Sequence, residues 1–427
     1  MKKSRFIILS VLSAMALTSC SLFKDDDIVV ENHFNEKGKT AEQSTAEAKI
    51  GDVESQRLDD VPNTLVFKNI VYSNMEGNKI ENTYKSLPAP FNVNGKDDYV
   101  VNKNNNNFDL YVPDSASKTE DISVVLFIHG GAWISGLKTQ VNPYVKKFAA
   151  EGYIAATPEY TLLNQEMNDP TLSIFRDLDE IDACITTMKE SLKSLGFNES
   201  KLHLVIGGAS SGAHLAMLYA YSRGASSDIP IKFLIDVVGP TDIDPYFWKG
   251  FKCANQEELD AALDAGIEHS TIEARRTADK LQTLPVAGQG YNWNEYQTMR
   301  IANGMCGMPF TLEEVEASTT DVNKETVTNK TSNVYKSIVS DDPSGEELVS
   351  VTHYMTDANK IPMLCAYSGK DAVIGIGHFA NLQDMLDGLG TEYEFFYFKN
   401  CGHVDLDTDT TTYNEFIAKI LEWMATK

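Results

Sequence analysis

Residues 202–221 read LHLVIGGASSGAHLAMLYAY, and the reading of this stretch decides the fold. It opens with a short apolar run, residues 202–206, and turns through GGASSG. It then continues with helical spacing, so that Leu215, Leu218 and Tyr219 share a face. Gly208, Ser210 and Gly212 fit G-x-S-x-G, a strand–turn–helix that lifts one serine out at the end of a sheet. The glycines let the backbone pass close to itself while the serine is held at strained dihedrals. A plain Gly/Ser turn ahead of a core helix has the same letters, so the remaining chain must supply the serine's partners.

Working outward, residues 124–128 (VVLFI) are continuously apolar, as in a strand covered on both faces, and HGGAW (129–133) follows at once. Residues 65–72 and 108–112 have strand character, with Asn-rich turns between them. Residues 144–150 read as a helix and 153–156 as a strand. Residues 172–195 carry a helical pattern, with Ile174, Leu178, Ile181 and Ile185 near one face and Gly196 as the cap. Past the opening stretch, 231–238 is a buried strand ending in GPTD. Further on, 361–367 is a strand ending in SGKD, 379–389 a helix, 392–398 a strand and 413–424 a closing helix. Strands alternating with helices predict an α/β fold, a mostly parallel central sheet with helices on both faces. Reactive groups in such sheets gather past the carboxyl ends of strands. The predicted core is residues 63–243 and 361–427. Residues 244–360 form a large insertion before the strand that carries the acid. It has helical stretches at 256–267 and 272–281 and aromatic clusters around Tyr246–Phe251 and Tyr291–Tyr296. A segment so long needs its own structure or a function, and a cap over the strand ends is expected, with a peripheral decoration as the alternative.

A serine nucleophile needs a base, a group to orient that base, and donors for an oxyanion. After Ser210, Asp371 ends one strand and His403 lies in KNCGH (399–403) after the next. His403 is the expected base and Asp371 its orienter. HGGAW offers backbone donors: Gly130 or Gly131, with the N–H of Ser211, to hold an oxyanion. Asp242 competes as acid because it too follows a strand end, and His378 competes as base. His129 is placed to prop the glycine loop, His214 lies inside the elbow helix, and His203 reads as structural.

The formal net charge of −24 argues against nucleic acid or an anionic membrane surface as a partner. Lys2, Lys3 and Arg5 precede an apolar run at 6–17 and the sequence LTSC (17–20), the pattern of a bacterial lipobox. The expectation is a signal peptide over 1–19, a lipid on Cys20 as membrane anchor, and a disordered tether over 20–62. The alternative is a non-lipidated signal with an incidental cysteine. KDDD (24–27) resembles tracts that send lipoproteins to the outer face of the outer membrane. The expected location is therefore the bacterial cell envelope, lipid-anchored at the outer membrane. Cys184 and Cys365 read as small core residues, while Cys253 and Cys306 lie in one segment and could pair. No cysteine has metal-ligand spacing to another Cys or His, and no cofactor or metal is implied. The acidic residues at 405–409 raise calcium as an alternative to a solvated loop.

FDLYVP (108–113), VVLFIHGGAWISG (124–136), GGASSGAHLA (207–216), SGKDAVI (368–374) and NCGH (400–403) together resemble the α/β-hydrolases of the carboxylesterase and lipase-like group, near the hormone-sensitive-lipase-like and feruloyl- or acetyl-esterase-like branches. The resemblance covers about residues 100–243 and 361–427. It implies Ser210, His403 and Asp371 as a triad, an oxyanion loop after His129, and a serine ester hydrolase that works through an acyl-enzyme on small or carbohydrate-linked esters. Three positions depart from the pattern: Ser211 where Ala is common, Ala132 where many members have a third Gly, and Thr161 after Tyr160 where Arg is usual. The first two keep a small residue, and the third is expected to loosen a structural contact. Two other functions share these features, a serine exopeptidase of the same fold and a catalytically silent binding lipoprotein.

Overall fold

The computed structural model describes residues 47–73, 79–83, 85, 98–103, 105–163, 172–243, 304–306, 345–371, 373–374 and 377–427. Its strands are β1 (Lys49–Ile50), β2 (Val53–Leu58), β3 (Val61–Val71), β4 (Lys79–Ile80), β5 (Tyr99–Val100), β6 (Asn107–Pro113), β7 (Ile122–Ile128), β8 (Ile154–Pro158), β9 (Leu202–Ala209), β10 (Ile231–Val237), β11 (Met363–Ser368) and β12 (Tyr393–Phe398). Ten of them form one sheet in the order β1-β2-β3-β6-β8-β7-β9-β10-β11-β12, and β4 pairs with β5 apart from it. From β8 to β12 every pairing is parallel; β1, β2, β3 and β6 run antiparallel to their neighbours. This is the α/β-hydrolase architecture that the sequence predicts.

The helices are α1 (Asn142–Ala150), α2 (Ile174–Ser194), α3 (Ser211–Arg223), α4 (Gly345–Val349), α5 (Val351–Tyr354), α6 (Gly377–Leu389) and α7 (Thr410–Thr426). They divide between the two faces, and β7 shows how. Val124, Leu126 and Ile128 join the core under α2 and α3, while Val125 and Phe127 join the core under α1 and α7. Successive strand residues point to opposite faces, so a strand buried on both sides must be apolar throughout. Each fully buried side chain of this size contributes roughly 1.5–3 kcal/mol. Every strand from β7 to β11 thus ends at the same edge of a two-sided core, where loops from different parts of the chain converge.

Two boundaries differ from the sequence reading. The tether expected over 20–62 ends sooner, because β1, β2 and the start of β3 already belong to the sheet. VESQRL, next to the short edge strand β1, has one half-buried face, and so few apolar residues give almost no periodicity to read. The core also resumes before residue 361: Leu348, Val349 and Val351 of α4 and α5 are buried in the cluster under α3. Of the expected cap, residues 304–306 are described, with Met305 and Cys306 in that same cluster. Both aromatic clusters of the insertion, Cys253 and the N-terminal region with Cys20 lie outside the described residues. Cys184 and Cys365 are core residues, as expected.

Candidate active site

The turn between β9 and α3 is the elbow. Ser210 stands at φ 55°, ψ −124°, a pair that an L-residue adopts only when its surroundings enforce it. The enforcement is visible at both glycines. A Cβ on Gly208 would lie 2.4 Å from the Gly212 carbonyl carbon, and one on Gly212 would lie 2.2 Å from the Ile128 oxygen. Only glycine lets β9, the helix start and the end of β7 approach this closely. The Ser210 N–H donates to the Val237 oxygen at 2.8 Å, which hangs the elbow on β10. Ser210 occupies the N-cap of α3, where a serine hydroxyl ordinarily accepts from the helix N–H groups. Its side chain makes no such bond.

The hydroxyl goes to a histidine instead. Ser210 Oγ lies 2.9 Å from His403 Nε2, and His403 Nδ1 lies 2.7 Å from Asp371 Oδ2. Asp371 Oδ1 accepts the Val373 and Ile374 N–H groups, both at 2.8 Å, so its carboxylate is held in one orientation. All three side chains are buried. The two loops that bring acid and base together are bound to each other. The Lys370 N–H donates to Cys401 O at 3.0 Å and the Gly369 N–H to Phe398 O at 3.0 Å. Asp405 accepts the Gly402 N–H, and Asp409 caps α7 through the Thr412 N–H at 3.2 Å. Two acids of the 405–409 tract are therefore engaged in shaping the His403 loop. Among the described residues no group of three acidic, His or Cys side chains is arranged to hold a metal.

The HGGAW loop lies against the serine. A Cβ on Gly130 would come within 3.1 Å of Ser210 Cβ. His129 Nδ1 donates to the Gly130 oxygen at 2.8 Å. Because a trans peptide sets C=O and N–H in opposite directions, that bond also fixes where the Gly131 N–H points. No described backbone carbonyl takes up the N–H of Gly130 or Gly131, and Ser211 is the first residue of α3, where the N–H has no partner within the helix. The three donors named from the sequence thus share one loop-and-elbow corner. His129 is itself held, stacked on Tyr160 at 4.4 Å with its Nε2 at 3.4 Å from Glu159 Oε2. Gly131 (φ 129°) is followed by Ala132 (φ 52°) and Trp133 (φ 61°), so Ala132 sits in a left-handed conformation at the position where a third glycine is common.

Residues 108–279 match the family described as BD-FAE. Over that stretch the chain is similar to this family of α/β-hydrolase esterases. A segment of 184 residues is 23% identical to a non-reducing polyketide synthase, atr1, of Stereocaulon alpinum; it is 42% of this chain, which spans 7% of that relative's length. Among solved structures, esterase B of Lactobacillus rhamnosis is 13% identical with a TM-score of 0.46, over 75% of this chain and 82% of that one. A truncated carbohydrate esterase from gut microbiota is 13% identical with a TM-score of 0.47, over 75% and 91%. A bacterial heroin esterase is 14% identical with a TM-score of 0.44, over 74% and 78%.

The competing candidates have other work. Asp242 accepts from Thr352 and Asn381, and the Thr241 N–H donates to His378 Nδ1 at 3.2 Å. His214 donates through Nε2 to the Val349 oxygen at 2.8 Å, and its complete burial pushes the imidazole down to about 4, so it stays neutral. The Val351 N–H donates to Thr241 O at 2.7 Å, and the Ile243 N–H to Ser350 Oγ at 3.0 Å. Asp242 therefore clasps the chain where the insertion leaves the core to the chain where it returns, His378 ties the departing chain to α6, and His214 ties the returning chain to α3. His203 is half-exposed in a surface pair with Asp121. Thr161 leaves no gap beside Glu180, since its N–H and hydroxyl both donate to Glu180 at 2.7 Å. One supporting residue was missed. Lys138, just past the glycine loop, is buried with its ammonium 2.7 Å from Asp109 Oδ1 and 2.7 Å from Asn69 Oδ1, and it also reaches Asn107. Its signal was Asp109, an acid inside the apolar strand FDLYVP, which needs a buried cation.

Proposed function

We propose that the protein hydrolyses carboxylic esters through an acyl-enzyme on Ser210, with His403 as general base and acid, Asp371 as its orienter, and the N–H groups of Gly130 or Gly131 and Ser211 as oxyanion donors. The single observation that carries this reading is the unbroken hydrogen-bonded chain Ser210–His403–Asp371, at 2.9 and 2.7 Å, on an elbow whose serine forgoes its capping bond. As Oγ attacks the ester carbonyl, His403 Nε2 takes its proton and Asp371 stabilises the imidazolium. The oxyanion is met by donors already in place, each worth about 10²–10³ in kcat. His403 then protonates the leaving alkoxide, and a water repeats the sequence to free the acid. The substrate class is small or carbohydrate-linked esters. The protein works in the cell envelope, tethered through a lipid on Cys20, a reading supported by the LTSC sequence after an apolar run.

The purified protein is expected to hydrolyse p-nitrophenyl acetate and to be labelled by a fluorophosphonate on Ser210, with both lost in Ser210→Ala. A panel of acetylated and feruloylated sugars against simple alkyl esters sorts the alcohol group. Failure to label and to cleave any ester in the panel sinks the enzymatic reading. For the anchor, metabolic labelling with a fatty-acid analogue is expected in the full chain and absent in Cys20→Ala; equal labelling of both would overturn it.

A further inference from the structure

Behind the elbow lies a buried acid that the proposed mechanism does not use. Asp236 is on β10, in register with Gly208 of β9 on one side and Cys365 of β11 on the other. Its Oδ1 accepts the Gly239 N–H at 2.9 Å, and its Oδ2 lies 2.7 Å from Tyr367 Oη. The same phenol oxygen lies 2.6 Å from the Gly239 carbonyl oxygen. A phenol has one proton, and a carbonyl oxygen can only accept. If that proton satisfies Gly239, Oδ2 faces a bare oxygen; if it satisfies Oδ2, Gly239 does. Both contacts are satisfied together only when the carboxyl brings its own proton. The circuit then closes in one direction: Asp236 O–H to Tyr367, Tyr367 O–H to Gly239 C=O, Gly239 N–H to Asp236 Oδ1.

We propose that Asp236 is a neutral carboxylic acid in the folded protein and serves as a positioning residue for the elbow, an inference that rests for its catalytic consequence on the ester hydrolysis proposed above. The link to Ser210 is short. Val237, next to Asp236, supplies the carbonyl that holds the Ser210 N–H at 2.8 Å. Val238 stands at φ 49°, and its own N–H donates to Ala366 O at 2.9 Å. The turn that the circuit closes, residues 236–239, is therefore the one from which the serine's backbone hangs. It has no slack, because a Cβ on Gly239 would lie 2.6 Å from Asp236 Oδ1 and 2.8 Å from Ala213 Cβ of α3.

The surroundings agree. The titratable groups that face Asp236 are Tyr367 and Cys365 from β11 and Tyr221 from α3, while β9 presents Gly207 and Gly208. Among the described residues no cation acts on it, and burial pushes its carboxyl up to about 7. On ionisation the Tyr367 O–H turns to donate to the carboxylate, the Gly239 carbonyl is left 2.6 Å from an oxygen with no proton to offer, and the turn must give. Asp236→Asn keeps the circuit at every pH, its amide N–H donating to Tyr367 and its amide oxygen accepting from Gly239.

Two measurements test this. The infrared difference spectrum between the Ser210→Ala protein and the Ser210→Ala/Asp236→Asn protein, taken on the acid side of neutrality, is expected to contain the C=O stretch of a carboxylic acid. That readout does not depend on turnover, so it stands even if the esterase reading falls. Tyr367→Phe, which removes the acid's acceptor, is expected to shift the band, and it serves if the Asn variant does not fold. In kcat against pH, the wild type is expected to fall at least about threefold from neutral to alkaline pH while Asp236→Asn stays level. Absence of the acid band, a band that Tyr367→Phe leaves unmoved, or an alkaline fall retained in the Asn variant overturns the proposal.

Discussion

Asp371→Asn tests the triad at its least visible point, the choice of which imidazole nitrogen carries the proton. The carboxylate has two distinct oxygens: Oδ1 takes two backbone N–H groups at 2.8 Å, from Val373 and Ile374, and Oδ2 takes His403 Nδ1 at 2.7 Å. An asparagine must decide which end to put where. Its oxygen stays on the two N–H donors, since the reverse sets an NH₂ against both and loses two bonds. The NH₂ therefore faces His403 Nδ1, which must now accept. The ring proton moves to Nε2, where it points at Ser210 Oγ, and the base can no longer take the serine's proton. A wrong tautomer of this kind costs on the order of 10⁴ in kcat, equal to about 5.5 kcal/mol of transition-state stabilisation. The side chain keeps its volume, so KM and the melting temperature are expected to stay near wild type. The assay is steady-state hydrolysis of p-nitrophenyl acetate beside a thermal melt by circular dichroism. A folded Asp371→Asn protein within about tenfold of the wild-type kcat would refute the reasoning, because His403 would then not depend on Asp371 for its tautomer.

Other perturbations follow from the same contacts. Lys138→Met removes the cation from a pair whose side chains are 7% and 4% exposed and leaves Asp109 with the Asn69 N–H, so a loss of about 3–5 kcal/mol is expected in urea unfolding. Lys138→Met/Asp109→Leu should recover part of that loss, and a single mutant within about 1 kcal/mol of wild type would show that the pair matters little. Gly212→Ala puts a methyl 2.2 Å from the Ile128 oxygen and should cost at least about 3 kcal/mol or abolish soluble protein. Gly388→Ala, in α6 with nothing within 4 Å of the new Cβ, should instead gain about 0.5–1 kcal/mol; equal effects at the two sites would discredit the steric account. Asp177 is fully buried on α2 with neither carboxylate oxygen bonded, and burial holds its carboxyl well above the ordinary range. The folded state thus keeps a proton that the unfolded state gives up, and the stability so gained fades as pH rises above the unfolded value. Asp177→Asn should raise the melting temperature more at alkaline than at acid pH, and a gain independent of pH would count against a titrating Asp177.

The chemistry was legible because each active-site candidate follows a strand with a continuous apolar stretch, buried on both faces in all but the half-buried terminal strand β12. β7 leads to HGGAW, β9 to Ser210, β11 to Asp371 and β12 to His403, and such strands stand out as continuous apolar runs. What escaped was set by contacts between distant segments. β2 is polar along its exposed face and reads as tether, although its register with β3 fixes it in the sheet. Lys138 is an ordinary surface letter until Asp109, far upstream, is seen beside it. Asp242 and His378 carry the same letters as a catalytic acid and base, and only Thr241, Thr352 and Asn381 around them assign them to structural ties. The strain at Ala132 was foreshadowed by the missing third glycine, but its left-handed φ of 52° belongs to the loop as folded.

The clasp has a consequence for how the domain tolerates change. Thr241 and Val351, on either side of the insertion, are joined by a backbone hydrogen bond of 2.7 Å. The sheet therefore meets that excursion of the chain as a closed port of fixed width, whatever is threaded through it. Doubling the length of a flexible closed loop costs only about 0.6 kcal/mol. Segments of different size fit at residues 244–344 while Ser210 and Asp371, upstream and downstream of the port, keep their spacing, provided the core places of Met305 and Cys306 are refilled. The fold is in this sense a socket, with hydrolytic machinery on the wall and a replaceable fitting in the opening.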